Sequence, residues 1–124
     1  MLWEEWSPDW DVDDATFDRS MPALDNSDFV DVAIHSYRHR FGNADGDPRY
    51  AELEKRLATM PPIAVPTVTL DGDKDGVVAA SDGSASAAKF TARRIHRVVK
   101  GAGHNVPHEA PEAFAAAVLE LVKV

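Results

Sequence analysis

The sequence contains no cysteine among its 124 residues. This absence excludes disulfide bridges and thiolate metal ligands, and it fits a reducing compartment such as the cytoplasm. The sequence also lacks an apolar run of about 18 residues, the length that a membrane-spanning helix needs. Residues 1–6 are acidic rather than apolar, so a secretory signal is not expected. We therefore predict a cytoplasmic protein with no membrane partner.

Basic residues are scarce, since 13 Lys and Arg stand against 21 Asp and Glu and give a net charge of -8. This balance argues against a nucleic-acid partner, because phosphate binding needs clustered Lys and Arg. Residues 1–61 contain 14 acids and 6 bases, whereas residues 62–124 contain seven of each. The uneven charge predicts two segments with different roles, although a solvated acidic surface is the simplest interpretation of the first.

Residues 1–61 have the pattern of helices. Apolar residues recur at helical spacing up to about Arg40, and Gly42 is expected to end that helix. A further helix is expected to begin at Pro48 and to carry an ion pair between Glu52 and Arg56. The predicted N-caps are, in chain order, Asp13 or Asp14, Ser27, and Asp47.

Residues 62–124 have the pattern of a β-α-β-α segment, which predicts the α/β fold class. The first strand is expected at 65–70, a helix at 81–90, the second strand at 96–100, and a final helix beginning at Pro111. Two strands joined through a helix should be parallel. Because a two-stranded sheet is rarely stable alone, the pattern is typical of the end of a larger sheet, with one apolar edge left open.

Polar side chains follow both predicted strands. Asp71, Asp73 and Asp75 come after the first strand, and His104 comes after the second. Parallel neighbours bring these loops to one edge of the sheet, where ligands bind in α/β proteins. An Asp–His pair there would form the base half of a nucleophile–His–acid triad. A carboxylate that only stabilises the turn, and a His that only caps a helix, are the structural alternatives.

Residues 64–122 resemble the C-terminal end of the α/β-hydrolase fold family. The matching stretches are VPTVTLDGDKDGVV at 65–78 and GAGHNVPHEAPEAF at 101–114. The resemblance implies that Asp75 is the catalytic acid, with Asp73 as the alternative, and that His104 is the catalytic base. It also implies that residues 1–61 form a helical cap, or lid, over the site. The implied substrate-binding residues in the cap are Trp3, Trp6 and Tyr37, together with Trp10, unless these side chains only form the core of the cap.

The family's nucleophile precedes its cap, and no such residue is found in this sequence. The elbow pattern Gly-x-Ser-x-Gly does not occur, because the two glycine pairs with that spacing enclose Ala44 and Lys74. We therefore expect a truncated hydrolase that carries the acid and the His but is inactive alone. The reaction implied by the resemblance is hydrolysis of an ester or a related small molecule, without a cofactor.

Two further interpretations compete with this one. Histidines four residues apart, at 35 and 39 and at 104 and 108, have spacing suited to zinc, and Asp71, Asp73 and Asp75 partly match a calcium loop. Neither motif is complete, so no metal is expected. The second interpretation is a non-catalytic interaction module, which self-associates or pairs with a separate N-terminal hydrolase half.

Overall fold

The computed structural model describes residues 2–122, which divide into two compact units. The first unit contains the described residues up to Asp11 and those from Pro62 onward, and the second contains Val12–Pro61. The second unit ends at Pro61, which is also where the sequence predicts a boundary. Residues 2–11 group with the C-terminal segment rather than with the helices that follow them. The role of residues 1–61 as a cap stays a prediction.

The first unit is built on two parallel strands, β1 (Thr67–Gly72) and β2 (Arg94–Val99), as expected for strands joined by a crossover. Their register pairs Thr69 with His96 and Gly72 with Val99. Both strands begin about two residues away from the predicted limits. Among the described residues, the sheet has only these two strands, so the second edge of β1 has no partner strand. The chain is thus a mixed helix-and-sheet protein, and the described residues do not form a complete α/β-hydrolase fold.

Short helices surround the two strands of this unit. A helix at the N-terminus, α1 (Leu2–Trp6), was not predicted from the sequence. The crossover between the strands contains a 3-10 helix (Ser84–Lys89) where an α-helix over 81–90 was expected. After β2 come α5 (Val106–Glu109) and α6 (Pro111–Val122), and α6 packs on β1. Pro111 begins α6 as predicted.

The second unit consists of α2 (Asp14–Leu24), α3 (Phe29–Arg40), a 3-10 turn (Pro48–Tyr50) and α4 (Ala51–Ala58). No residue of this unit is buried. Three of its predicted ends are confirmed: Asp13 accepts from Thr16 N at 2.7 Å, Asp47 accepts from Arg49 N, and Gly42 follows α3 at φ 70°.

Two local predictions for the second unit are wrong. Ser27 does not cap α3, because its hydroxyl donates to Asp28 Oδ1 rather than accepting from a backbone N–H, and Asp28 occupies the cap position. Glu52 pairs with Lys55, three residues on, instead of with Arg56. The first difference places the start of α3 one residue later than a Ser27 cap would, and the second exchanges one short-range ion pair for another.

The described residues bury very little apolar surface. The buried apolar residues are Ala102, Val106 and Ala117, all in the first unit. Many larger apolar side chains are exposed, among them Phe114 at 43% and Val118 at 46% on α6. No helix in the described part of the chain has both the length and the apolar composition needed to cross a membrane.

Candidate active site

The two loops that follow β1 and β2 lie side by side at one edge of the sheet. Because Gly72 is paired with Val99, both strands end at the same level. The backbone continues the contact beyond the strands, since Asp73 N donates to Val99 O at 3.1 Å and Lys74 N donates to Ala102 O at 2.9 Å. The Cβ of any side chain at Gly72 would lie 2.3 Å from the carbonyl oxygen of Gly103. The loops can therefore approach this closely only with glycine at position 72.

This arrangement brings Asp75 and His104 into contact. His104 Nδ1 lies 3.0 Å from Asp75 Oδ2 and 3.1 Å from Oδ1. An ionised carboxylate only accepts hydrogen bonds, so the proton lies on Nδ1 and Nε2 is left to accept one. The Asp75 side chain is 13% exposed and that of His104 is 35% exposed. The geometry suits an imidazole that is held by an acid and can take a proton from solvent or substrate.

The electrostatic environment keeps Asp75 ionised. Partial burial raises the pKa of Asp75, but hydrogen bonds from Val78 N, from His104 and from Val77 N together bring the pKa below its ordinary value. The same Oδ1 atom accepts from Val77 N at 2.7 Å and from Val78 N at 3.0 Å. The carboxylate is thus fixed by its own loop on one side and contacts His104 on the other.

The neighbouring carboxylates have other partners. Asp73 Oδ1 accepts from Gly101 N at 2.6 Å and so ties the two loops together through backbone. Asp71 Oδ2 accepts from the backbone N and the hydroxyl of Ser81. Of the three aspartates, Asp75 is the one whose carboxylate contacts His104.

Aromatic rings from the N-terminal segment surround the histidines of the site. Trp6 packs edge-on against His104 with ring centroids 5.2 Å apart. Trp10 stacks on His108 at 5.9 Å and also contacts Trp3 at 5.7 Å. The structure thus brings the predicted residue Trp6 against His104, whereas Trp3 packs on Trp10, which in turn stacks on His108.

Tyr37, the third predicted substrate-binding residue, lies on α3 in the second unit and is 54% exposed. Its predicted role in substrate binding is not tested by this position and stays a prediction. His35 and His39 lie on the same helix, with ring centroids 6.2 Å apart. Within residues 2–122, no group of three His, Asp or Glu side chains is arranged to hold a metal ion.

An apolar groove of about 400 Å³ opens beside His104. Its walls are formed by β1, α5 and α6. The lining side chains are mostly apolar and include Val68, Leu70, Phe114 and Val118. The groove is large enough for a small organic molecule, and His104 is the polar residue in its lining.

The sequence analysis missed two residues that contact the loop of His104. Ser7 is the buried polar residue of the described part of the chain, at 1% exposure. Its hydroxyl donates to Glu109 Oε1 at 2.7 Å and accepts from His104 N at 3.1 Å. The local signal is that Glu109 lies in the first turn of α5, where a carboxylate is favourable near backbone N–H groups.

Comparison with known proteins gives one similar solved structure. No protein-family model matches the chain, and no match was found among the curated proteins. The solved structure is the crystal structure of a "putative epoxide hydrolase" from Klebsiella pneumoniae subsp. pneumoniae, with 42% sequence identity and a TM-score of 0.93. The match covers 99% of this chain and 41% of that one. The chain resembles a small epoxide-hydrolase-like domain.

This match corrects the family resemblance drawn from the sequence. The resemblance predicts the C-terminal portion of an α/β-hydrolase, with a helical cap, two strands and a final helix. That assignment is wrong as made, because the finding supports resemblance to an epoxide-hydrolase-like domain and the described residues show no complete α/β-hydrolase fold. The coarser expectation, that the chain is hydrolase-like, is supported by the same match.

Proposed function

We propose that Asp75 and His104 are the acid–base pair of a site that hydrolyses epoxides. The observation that carries the proposal is the contact of 3.0 Å between His104 Nδ1 and Asp75 Oδ2. The similarity to the Klebsiella protein suggests the substrate class, a small molecule with an epoxide ring. The edge-on contact of Trp6 with His104 and the apolar groove beside the imidazole suit an uncharged, largely apolar substrate.

In this proposal, His104 acts as a general base. A carboxylate nucleophile from another polypeptide segment would first open the epoxide ring to form an ester, and the ring oxygen would take a proton from solvent. The Nε2 of His104 then takes a proton from a water molecule as the water oxygen attacks the carbonyl carbon of that ester. The bond from this carbon to the substrate oxygen breaks, and the imidazolium gives its proton to that oxygen, so that a diol leaves. Asp75 holds the Nδ1–H and stabilises the imidazolium that forms. Trp6 and Trp3 are proposed to bind the substrate from the side of α1. Tyr37 keeps its predicted role as a substrate-binding residue of a cap formed by residues 1–61, and no cofactor is required.

The sequence does not provide a recognisable nucleophile. It has no Gly-x-Ser-x-Gly elbow, and Ser7 is buried and bonded to Glu109. Loss of one triad member lowers the rate by several powers of ten. We therefore propose that residues 1–124 alone do not turn over an epoxide or an ester, and that a nucleophile from another polypeptide segment would complete the site.

A chimera provides the sharpest test. This chain would replace the matched 41% of the Klebsiella protein, and hydrolysis of styrene oxide would be measured for the chimera and its parent. We expect an active chimera in which His104→Ala lowers the rate about 10² to 10⁴-fold, the usual contribution of a general base. The matched control is His39→Ala, in the second unit.

Two results would contradict the proposal. An active chimera that is insensitive to His104→Ala would show that the imidazole takes no part in the reaction. An inactive chimera beside an active parent would show that this chain lacks the proposed activity.

A second candidate function is an interaction module, supported by the amount of exposed surface. The accessible surface is 9499 Å², whereas a compact monomer of this mass exposes about 6,500 Å², or about 7,800 Å² when its two units are counted as separate domains. The open edge of β1 adds unpaired backbone groups. We propose that this surface is covered by a second copy of the chain or by an N-terminal hydrolase half.

A further inference from the structure

The N-terminal segment contacts both loops that carry the candidate pair. The carbonyl oxygen of Trp6, the last residue of α1, accepts from Gly76 N at 3.0 Å and from His104 N at 3.2 Å. Gly76 directly follows Asp75 in the chain. One carbonyl group therefore ties the backbone beside the acid to the backbone of the histidine.

Ser7 adds a second set of bonds to the same loop. Its hydroxyl accepts from His104 N at 3.1 Å and from Asn105 Nδ2 at 3.3 Å, while it donates to Glu109 Oε1 at 2.7 Å. A hydroxyl has one donor and two acceptor sites, so Ser7 uses its whole capacity. It does this at 1% exposure, where an unpaired polar group would be costly.

Glu109 completes the arrangement from the other side of the loop. Its carboxylate accepts from Gly103 N at 2.6 Å, from Asn105 N at 2.9 Å and from Ser7. Together with His104 N, three consecutive backbone amides are thus held by one carboxylate, one hydroxyl and one carbonyl group. These bonds fix the backbone from which the imidazole projects.

The packing around these bonds leaves no room for a side chain at position 76 or position 103. A Cβ at Gly103 would lie 2.7 Å from Ser7 Cα, and a Cβ at Gly76 would lie 2.0 Å from the carbonyl oxygen of Glu5. Both loops have glycine at the point of contact with residues 5–7. The sequence therefore has glycine at both of the positions, 76 and 103, that face residues 5–7.

We propose that Ser7 and Glu109 are positioning residues, which hold the loop of His104 so that Nδ1 meets Asp75. This inference rests on the proposed role of the Asp–His pair, but it concerns geometry and can be tested without activity. Neither residue touches a reacting atom in this proposal. Each acts through the backbone amides of residues 103–105.

The test is NMR spectroscopy of the full 124-residue chain, labelled with ¹⁵N. The variants are Ser7→Ala and Glu109→Gln, and the controls are Ser36→Ala and Glu112→Gln, which change the same residue types at exposed helix positions. Ring ¹⁵N shifts report whether His104 carries its proton on Nδ1 or Nε2. Amide exchange reports protection at residues 103–105 separately from protection in β1 and β2.

We expect exchange at residues 103–105 to accelerate at least tenfold in both variants, and the Nδ1–H form of His104 to decline. Protection in β1 and β2 should stay within about twofold of the parent, and the controls should match the parent. Unchanged ring shifts in the variants would overturn the proposal. Equal loss of protection in the strands would also overturn it, since this would indicate a general stabilising role. Should Ser7→Ala not fold, Glu109→Gln, which keeps the size of the side chain, decides on the same criteria.

Failure of the proposed function and failure of the positioning role would give different results. If the Asp–His pair has no catalytic role, the chimera is inactive or insensitive to His104→Ala, while the ring shifts still respond to Ser7→Ala and Glu109→Gln. If the positioning role is wrong, the ring shifts do not respond, whatever the activity of the chimera.

Discussion

His104 Nδ1 lies 3.0 Å from Asp75 Oδ2, although 29 residues separate the two in the chain. The contact forms because two parallel strands end at the same level, so that the loops after them lie side by side. Asp73, two residues before Asp75, has its carboxylate on Gly101 N instead. Of these two neighbouring aspartates, only Asp75 therefore has its carboxylate on His104.

Replacing Asp75 should release the histidine ring. In Asp75→Asn the amide cannot act as a charged acceptor for Nδ1–H, so the neutral imidazole should move toward the form protonated on Nε2. Ring ¹⁵N shifts measure this change. The matched control is Asp73→Asn, which changes the acceptor for Gly101 N and leaves the contact between Asp75 and His104 in place. An equal response to both substitutions would contradict the assignment of Asp75 as the acid of the pair.

Lowering the pH should destabilise the folded chain, because Asp75 becomes protonated. The pKa of this carboxyl is lowered in the folded chain, so its contribution to stability is fully present above the unfolded pKa, about 3.9, and is lost as the pH falls through the folded pKa. The difference in unfolding free energy between the parent and Asp75→Asn should therefore shrink below about pH 4. Urea unfolding at a series of pH values from 5 downward measures it. A difference that stays constant down to complete protonation of carboxyl groups would contradict this expectation.

The meeting of the two loops could be predicted from the sequence because its origin is topological, whereas the choice of Asp75 among the three aspartates was implied only by the resemblance. A strand, a crossover and a second strand fix which loop ends lie together, and this holds although the strand limits shift by about two residues. The cap at Asp13 could be predicted for a similar reason, since its partner Thr16 is three residues away. Ser27 shows the limit of such local patterns, because Asp28 competes with the backbone for the same hydroxyl.

The contacts of residues 2–11 could not be predicted in this way. Ser7 and Glu109 are 102 residues apart, and no strand or helix period relates them. The charge pattern even placed this segment with the acidic residues that follow it, whereas its contacts are with residues 62–122. Gly72, Gly76 and Gly103 each lie where another stretch of backbone comes close. A glycine in the sequence does not show which part of the chain packs against it.

Adding a methyl group to the glycines that face residues 5–7 should destabilise the first unit. Gly103→Ala would place Cβ 2.7 Å from Ser7 Cα, and Gly76→Ala would place it 2.0 Å from Glu5 O. Overpacking against backbone typically costs about 1–3 kcal/mol. Gly46→Ala is the control, since its Cβ would meet the movable end of the His39 ring, and we expect a change within about 0.5 kcal/mol. Urea unfolding followed by tryptophan fluorescence compares the three, and equal stability of all variants would contradict the tight packing.

The exposed apolar face of α6 should drive association of the chain. Val118 and Phe114 line the groove beside β1 and are each more than two-fifths exposed. Burial of such side chains in a partner contributes about 1.5–3 kcal/mol each, so we expect the parent to form dimers or larger species at tens of micromolar. Val118→Lys should shift light-scattering masses toward the monomer. Leu119→Lys, on the same helix at 56% exposure but outside the groove, should leave the mass unchanged. A monomeric parent at these concentrations, or equal effects of the two substitutions, would argue against the groove as an interface.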